Sequence, residues 1–272
     1  MLKTFCATAL GLLATLAQAA PPTCEAERQL PLERITERVV LVGETHGNEQ
    51  APAFVERLIC GLLAQGRPVI LAVERPVTEQ SALDRYLASA GQSADRRALV
   101  SEPDWTAPTQ DGRSSEAMLK LVDKVRLWRQ AGQPVQLVAL VRPWAASSAP
   151  FDPKLAQAEG DLGMADSLSA ALDRHAGYSA VVLAGTFHTV VGSKMHHDII
   201  GSPSMGDVLA TRLPVHAIGL SSGAGETWVC HQPRECGPRR LSAAPWNLPD
   251  ARIDTSVDLG PITVSRPAAL SL

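Results

Sequence analysis

The sequence alternates short, continuously apolar runs with longer segments in which apolar residues recur every three or four positions. The first pattern is typical of strands buried on both faces, and the second of helices that pack one face on a sheet. Strands are predicted at residues 38–44, 68–74, 134–141, 178–185 and 215–220. This order predicts βαβ units, a mostly parallel sheet and a three-layer α/β/α fold.

The segments between these strands predict helices with recognisable ends. They cover residues 51–65, 78–91, 114–132, 155–176 and 204–213. The strongest is 114–132, where one face is apolar and Gly132 ends the helix; that face carries Met118, Leu121, Val122, Val125 and Trp128. Beyond residue 220 the pattern weakens. There ETWVC predicts an edge strand, GPRRLSAAPWNLPD a loop and SVDLGPITVS a late strand.

The first twenty residues have the features of a secretory signal peptide. Lys3 precedes the apolar run ALGLLATL, and AQA before Ala20 provides a small-residue cleavage site. The apolar run is too short to remain as a stable membrane anchor. We therefore expect a signal peptide at residues 1–20, a single α/β domain over 21–272, a periplasmic or secreted location and no stable membrane span after cleavage.

Cysteine usage adds a prediction for the exported chain. Removal of the signal peptide leaves Cys24, Cys60, Cys230 and Cys236, and disulfides persist in an oxidising compartment. Three connectivities are possible, and buried free thiols are the alternative. The preferred pairs are Cys230 with Cys236, which closes the short WVCHQPREC loop, and Cys24 with Cys60. The C-terminal segment, from about residue 221 to 272, is then loop-rich and closed by a disulfide.

Charge and aromatic content exclude nucleic acid as a partner. The formal net charge is −3, and aromatic residues make up 4% of the chain. Such a composition provides neither the excess of positive charge that binds phosphates nor enough aromatic side chains to stack on bases. A small-molecule or peptide substrate is the partner class that remains.

Ionisable residues follow four of the predicted strands where those strands end. They are Glu44 and His46 after the first, Glu74 and Arg75 after the second, Arg142 after the third and His188 after the fourth. The carboxyl ends of parallel strands lie along one edge of the sheet, where ligand sites of open α/β sheets are found. We therefore expect these side chains to converge on one crevice. Taken singly, each also has a structural interpretation, such as a solvated ion pair or a strand cap.

Two of these strand ends repeat one local pattern, G-x-x-H. It occurs at Gly43–His46 in LVGETHGNEQ and at Gly185–His188 in LAGTFHTVVGS. A glycine at a strand end permits unusual backbone angles or close approach of a ligand. Histidine is the usual general base or metal ligand near neutral pH, and a carboxylate beside it orients the ring or raises its basicity.

Other polar residues are weaker candidates. Arg113 stands just before a helix start, where a loop can bring it into the crevice, and it competes with Arg142 for one role. His196 and His197 either supply metal ligands or form a polar helix face. Ser221 and Ser222 have no G-x-S-x-G context, and neither a Walker loop nor a dinucleotide-binding fingerprint occurs.

These motifs resemble the group that contains erythromycin esterases, ChaN-like haem-binding proteins and the Tiki metalloproteases. GETH is similar to the first motif of the esterase and ChaN branches. AVERP places Glu74, and VALVRPW places Arg142, where the group has a glutamate and an arginine. GDLGMADSLSAAL followed by VVLAGTFH is similar to ChaN-like members. The resemblance covers about residues 35–220 and implies a three-layer α/β/α fold.

The resemblance leaves the activity open, because its members include ester hydrolases, metal-dependent proteases and haem carriers. The first hypothesis is an exported hydrolase of an ester or amide, with His46 as general base, Glu44 or Glu74 orienting it, and His188 with Arg142 or Arg113 stabilising negative charge. In a variant, His46, His188 and Glu74 hold a divalent metal. The alternative is a haem-binding protein with His46 and His188 as ligands. The chain lacks the large extra helical region of the esterases, and its two tyrosines weaken a tyrosine-ligated haem.

Overall fold

The structure is a computed structural model that describes residues 24–107, 109–143, 152–231 and 235–271. The predicted signal peptide lies outside the described residues. Within the ranges described, no helix has both the length and the apolar character needed to cross a membrane.

A central, mostly parallel sheet organises the molecule, as the sequence predicts. Its strands are β1 (Val39–Glu44), β2 (Val69–Pro76), β3 (Val135–Val141), β4 (Ser179–Gly185), β5 (Val215–Ser222), β8 (Ala244–Pro245) and β9 (Thr255–Asp258). The order is β3-β2-β4-β1-β5, and both β8 and β9 pair with β5. Within the described part of this sheet, all strand pairings are parallel except that between β5 and β8.

Helices cover both faces of this sheet. They are α1 (Gln50–Ala64), α2 (Gln80–Ala88), α3 (Ser93–Val100), α4 (Pro103–Thr106), α5 (Glu116–Gln130), α6 (Pro153–Arg174), α7 (Thr186–Thr189), α8 (Lys194–Ile200) and α9 (Met205–Ala210). Along β1, Val40 and Val42 join the core with α1 and α5, whereas Val39 and Leu41 join the core with α6 and α9. Successive strand residues point to opposite faces. The central strands are therefore apolar along most of their length, and the predicted three-layer α/β/α fold is confirmed.

The C-terminal segment differs from the sequence prediction. Only the first part of the predicted late strand is present, as β9, and the predicted loop contains β8 and most of a further strand, β7 (Cys236–Leu241). It pairs antiparallel with β6 (Gly225–Cys230) in a separate two-stranded sheet. Most of β7 is exposed or only half-buried, so its sequence lacks the apolar alternation from which strands are recognised.

Both predicted disulfides are confirmed. Cys24 is bonded to Cys60 of α1, which ties the start of the described chain to the first helix. Cys230 is bonded to Cys236, so that the disulfide joins directly opposite residues of the β6–β7 hairpin. Two disulfides are typical of proteins that fold in an oxidising compartment.

Candidate functional site

The ends of three adjacent strands hold the cluster of ionisable side chains. In the sheet order β2, β4 and β1 are neighbours, and Glu44 at the end of β1 lies beside Gly185 at the end of β4. Glu74 comes from the same end of β2. The two G-x-x-H motifs, far apart in sequence, are therefore side by side at the carboxyl edge of the sheet.

His46 is held between two carboxylates. Its Nδ1 lies 2.9 Å from Oε1 of Glu44, and its Nε2 lies 3.4 Å from Oε2 of Glu74. The Glu44 side chain is almost completely buried, while that of His46 remains 17% exposed. Glu44 therefore fixes the ring orientation and places a proton on Nδ1, because a carboxylate only accepts.

His188 repeats this arrangement from the other side of Glu74. Its Nδ1 lies 2.7 Å from Oδ1 of Asp161 in α6, and its Nε2 lies 3.6 Å from Oε1 of Glu74. Gln157, one turn earlier in α6, donates to the second oxygen of Asp161 at 2.9 Å. Two carboxylate-backed imidazoles thus direct their Nε2 atoms at one shared carboxylate.

Glu74 is the centre of this cluster. Besides the two imidazoles it accepts hydrogen bonds from the backbone N–H of Gly185 at 2.7 Å and from Nη1 of Arg113 at 2.9 Å. A Cβ placed on Gly185 would lie 3.2 Å from His46 Nε2 and 3.4 Å from Glu74 Oε2. Gly185 has φ −55°, an angle that any residue can adopt. A glycine here therefore leaves room for the side chains of His46 and Glu74 and is not needed for an unusual backbone angle.

Arg113 reaches the cluster on the loop before α5. Asp111 holds its guanidinium through Nε at 2.9 Å and Nη2 at 2.7 Å. The buried Arg75 donates to the carbonyl of Arg113 at 3.1 Å and pairs with the buried Glu79 at 2.7 Å. Glu74 and Arg75 therefore have separate roles: Glu74 contacts the side chain of Arg113, and Arg75 supports its backbone.

The charges within the cluster shift its pKa values strongly. Burial alone would lower the pKa of His46, but the charge of Glu74 and the hydrogen bond to Glu44 outweigh burial and raise it to about 10. Burial also opposes protonation of His188, yet Asp161 and Glu74 raise its pKa. In turn His46, His188 and Arg113 hold the pKa of the Glu74 carboxyl far below its usual range despite burial. His46 therefore carries a proton on each ring nitrogen at neutral pH, and the pKa of His188 is shifted in the same direction.

Arg142 does not join the cluster, contrary to the sequence prediction. Its side chain is 52% exposed and contacts Ser167 at 3.3 Å and Asp166 at 3.9 Å, both on α6. The physical reason is its position just after β3, the strand at the far side of β2 from β4. Arg113, the competing candidate, supplies the guanidinium instead.

Three contributors were missed by the sequence analysis: Gln157, Asp161 and Asp111. Gln157 and Asp161 are four residues apart on α6, which places them on one face. Two polar residues on the helix face that packs on the sheet indicate a site, but they do not lie at a strand end. Asp111 lies two residues from Arg113 in an irregular loop, where periodicity gives no signal.

The donor geometry does not fit the predicted metal site. Among the residues that the structure describes, no three His, Cys, Asp or Glu side chains are arranged to hold a metal ion. Each Nδ1 contacts its own carboxylate, and both Nε2 atoms face Glu74. His196 is buried in α8, and neither of its ring nitrogens has a protein hydrogen-bond partner. His197 contacts Asp207 at 3.5 Å.

An open α/β/α sandwich with an ionisable cluster at the carboxyl edge of its sheet defines the class of this chain, and solved structures share that fold. A succinoglycan biosynthesis protein superposes with a TM-score of 0.65 at 11% identity, over 91% of this chain and 96% of the other. A mutant of the erythromycin esterase EreC, in its open conformation, superposes with a TM-score of 0.55 at 13% identity, over 76% of each chain.

The haem-binding ChaN of Campylobacter jejuni also matches, with a TM-score of 0.43 at 15% identity, over 78% of this chain and 90% of the other. The expected resemblance to the erythromycin esterases is confirmed, by the EreC match, as a shared fold. Identities this low establish the fold alone. Comparison with protein-family models and with curated proteins gives no match.

Proposed function

We propose that the protein is an exported hydrolase that cleaves an ester or amide bond in a small molecule or peptide. The observation that supports it best is the pair of carboxylate-backed histidines whose Nε2 atoms flank Glu74 beside Arg113. Strongly shifted pKa values concentrated in one cluster are typical of catalytic sites. The two disulfides support export.

In this proposal His46 is the general base. Its neutral form, held by Glu44 through Nδ1, accepts a proton on Nε2 from water as the water oxygen bonds to the carbonyl carbon. When the tetrahedral intermediate collapses, the C–O or C–N bond breaks and Nε2 returns the proton to the leaving group. Glu74 keeps the ring in place and stabilises the imidazolium formed in the first step.

Arg113 and protonated His188 stabilise the negative charge that develops on the carbonyl oxygen. Arg113 is held by Asp111 and Glu74, and its side chain remains 37% exposed, so solvent or a substrate can reach it. Asp161 orients the ring of His188 and raises its pKa, which favours the protonated form. Positioned cations of this kind need no reorganisation during the reaction, which is the main source of their effect.

The pH dependence tests this assignment. Because the pKa of His46 is raised to about 10, about one molecule in a thousand carries the free base at pH 7. We expect kcat/KM on a chromogenic ester or amide to rise about tenfold per pH unit through the neutral range and to level off near the pKa of His46. Initial rates from pH 6 to 10.5, corrected for spontaneous hydrolysis, measure this.

An Arg142→Ala variant is the control for this pH profile, because it changes an exposed arginine outside the cluster. The unchanged protein and this variant are both expected to give the same rising profile. A rate that is flat or falls above pH 7 would contradict His46 as the base. No turnover across a broad panel of carboxyl esters and amides would contradict the hydrolase proposal.

Haem binding is the alternative, and the same cluster argues against it. The Nε2 atoms that would ligate iron lie 3.4 and 3.6 Å from Glu74, so the iron would have to displace a buried carboxylate with four partners. We expect titration with haem to leave its Soret band as in free haem. A shifted band that is lost in His46→Ala or His188→Ala would favour the haem-binding function.

A further inference from the structure

We propose that the β6–β7 hairpin is a clamp that sets the positions of His46 and Arg113 relative to each other, with Trp228 as its positioning residue. The inference rests on the proposed function, because it assigns the clamp to the catalytic loops of that hydrolase. The two loops concerned are residues 45–48, after β1, and residues 109–115, before α5.

The hairpin holds the first loop by its backbone. The hydroxyl of the buried Thr227 donates to the carbonyl of His46. The N–H of Trp228 donates to the carbonyl of Gly47 at 2.9 Å. Two successive carbonyls of the loop are thus fixed by two successive residues of β6, which leaves the backbone of His46 little freedom to rotate.

The same tryptophan holds the second loop. Its ring Nε1–H donates to the carbonyl of Gln110 at 2.9 Å. Asp111 follows directly and pairs with Arg113 through both of its carboxylate oxygens. Trp228 is therefore one residue that bonds both loops, through its backbone to one and through its side chain to the other.

The three backbones meet without side chains between them. Gly47 has φ +79° and Gly112 has φ +96°, both in the region that favours glycine. A Cβ on Gly112 would lie 2.9 Å from the carbonyl carbon of His46, and one on Gly47 would lie 2.7 Å from the backbone nitrogen of Trp228. Because the contacts are direct, a displacement of the hairpin moves both loops.

The hairpin belongs to its own two-stranded sheet and does not extend the main one. Isolated two-stranded hairpins are marginally stable in water. The Cys230–Cys236 disulfide joins the strands two residues beyond Trp228 and restrains them. The clamp therefore depends on a covalent link outside the cluster.

Replacing Trp228 with phenylalanine tests the clamp, since it keeps an aromatic ring and removes the Nε1–H donor. Trp246→Phe is the matched control, because the Nε1–H of Trp246 donates to Ser222 at 3.0 Å, away from both loops. We expect Trp228→Phe to lower kcat about tenfold with a smaller change in KM, and to shift the ring NMR signals of His46. The control should leave the rate and the signals unchanged.

Two further variants keep the test decisive. Thr227→Val removes the donor to His46 alone, and the Cys230→Ser, Cys236→Ser double variant opens the hairpin; both should shift the same His46 signals. The midpoint of thermal unfolding shows whether each variant is folded. If Trp228→Phe does not fold, the His46 signals of Thr227→Val test the clamp. Unchanged His46 signals in folded Trp228→Phe and Thr227→Val overturn the clamp. Shifted signals in a protein without hydrolase activity keep the clamp and overturn the proposed function instead.

Discussion

His46→Gln is expected to lower kcat/KM for ester or amide hydrolysis by about two to four orders of magnitude, the usual contribution of a general base. Glutamine retains a polar side chain of similar reach, but it cannot take a proton from water near neutral pH. The fold should persist, because the His46 side chain lies at the edge of the sheet and remains 17% exposed. Steady-state rates across the pH range measure the effect, and the residual activity should lose its rise with pH.

His216→Gln is the matched control for this variant. His216 is likewise paired, with Thr255 at 2.9 Å and Glu37 at 3.3 Å, but it is buried near the start of β5, at the opposite edge of the sheet. Its replacement should change stability without changing kcat/KM. Activity that is retained in folded His46→Gln would refute the proposed role of His46.

Glu74→Gln is expected to have an effect of similar size by another route. The carboxylate is the shared partner of His46, His188 and Arg113, and its charge is a main cause of the raised pKa of His46. A neutral amide removes that charge, so the pKa of His46 should fall toward its ordinary value of about 6.5. We expect the plateau of kcat/KM at high pH, where the base is deprotonated in both proteins, to drop about a hundredfold, because the imidazolium formed during catalysis loses its counter-charge.

Titration of the His46 ring by NMR measures the fall in pKa directly, and enzyme rates measure the loss of activity. Glu27→Gln provides the control, because Glu27 is likewise buried and paired with an arginine, Arg57, at 2.9 Å, while its other partners are the N–H groups of Arg28 and Gln29, outside the cluster. It should leave the His46 titration unchanged. A Glu74→Gln variant in which His46 still titrates near pH 10 would show that Glu74 does not govern the cluster.

The core of the fold could be predicted from the sequence because its strands contain runs of apolar residues on both faces. The runs around Val40, Leu71, Leu137, Val182 and Ile218 need cover on both faces, and that requirement alone implies helices on each side of the sheet. The disulfide pairs followed from the even cysteine count and the short loop between Cys230 and Cys236.

Site residues could be predicted only where an ionisable residue directly follows a predicted strand. Glu44, His46, Glu74 and His188 meet because β1, β2 and β4 are neighbours, and the same rule failed for Arg142 because strand order cannot be read from the chain. Asp161 and Arg113 enter from a helix and a loop, whose direction depends on tertiary packing. The polar β7 was missed for a related reason, since its partner strand and disulfide stabilise it more than its own side chains do.

The strand order β2-β4-β1 has a consequence for the way the molecule assembles. The first two strands of the chain never pair with each other, because a strand that begins more than a hundred residues after the second lies between them. Contacts of such long sequence separation form late, after most of the loop-closure entropy has been lost. Glu74 and His46 therefore meet only once β4 has entered the sheet, so the cluster first exists in a chain that has almost completed its folding.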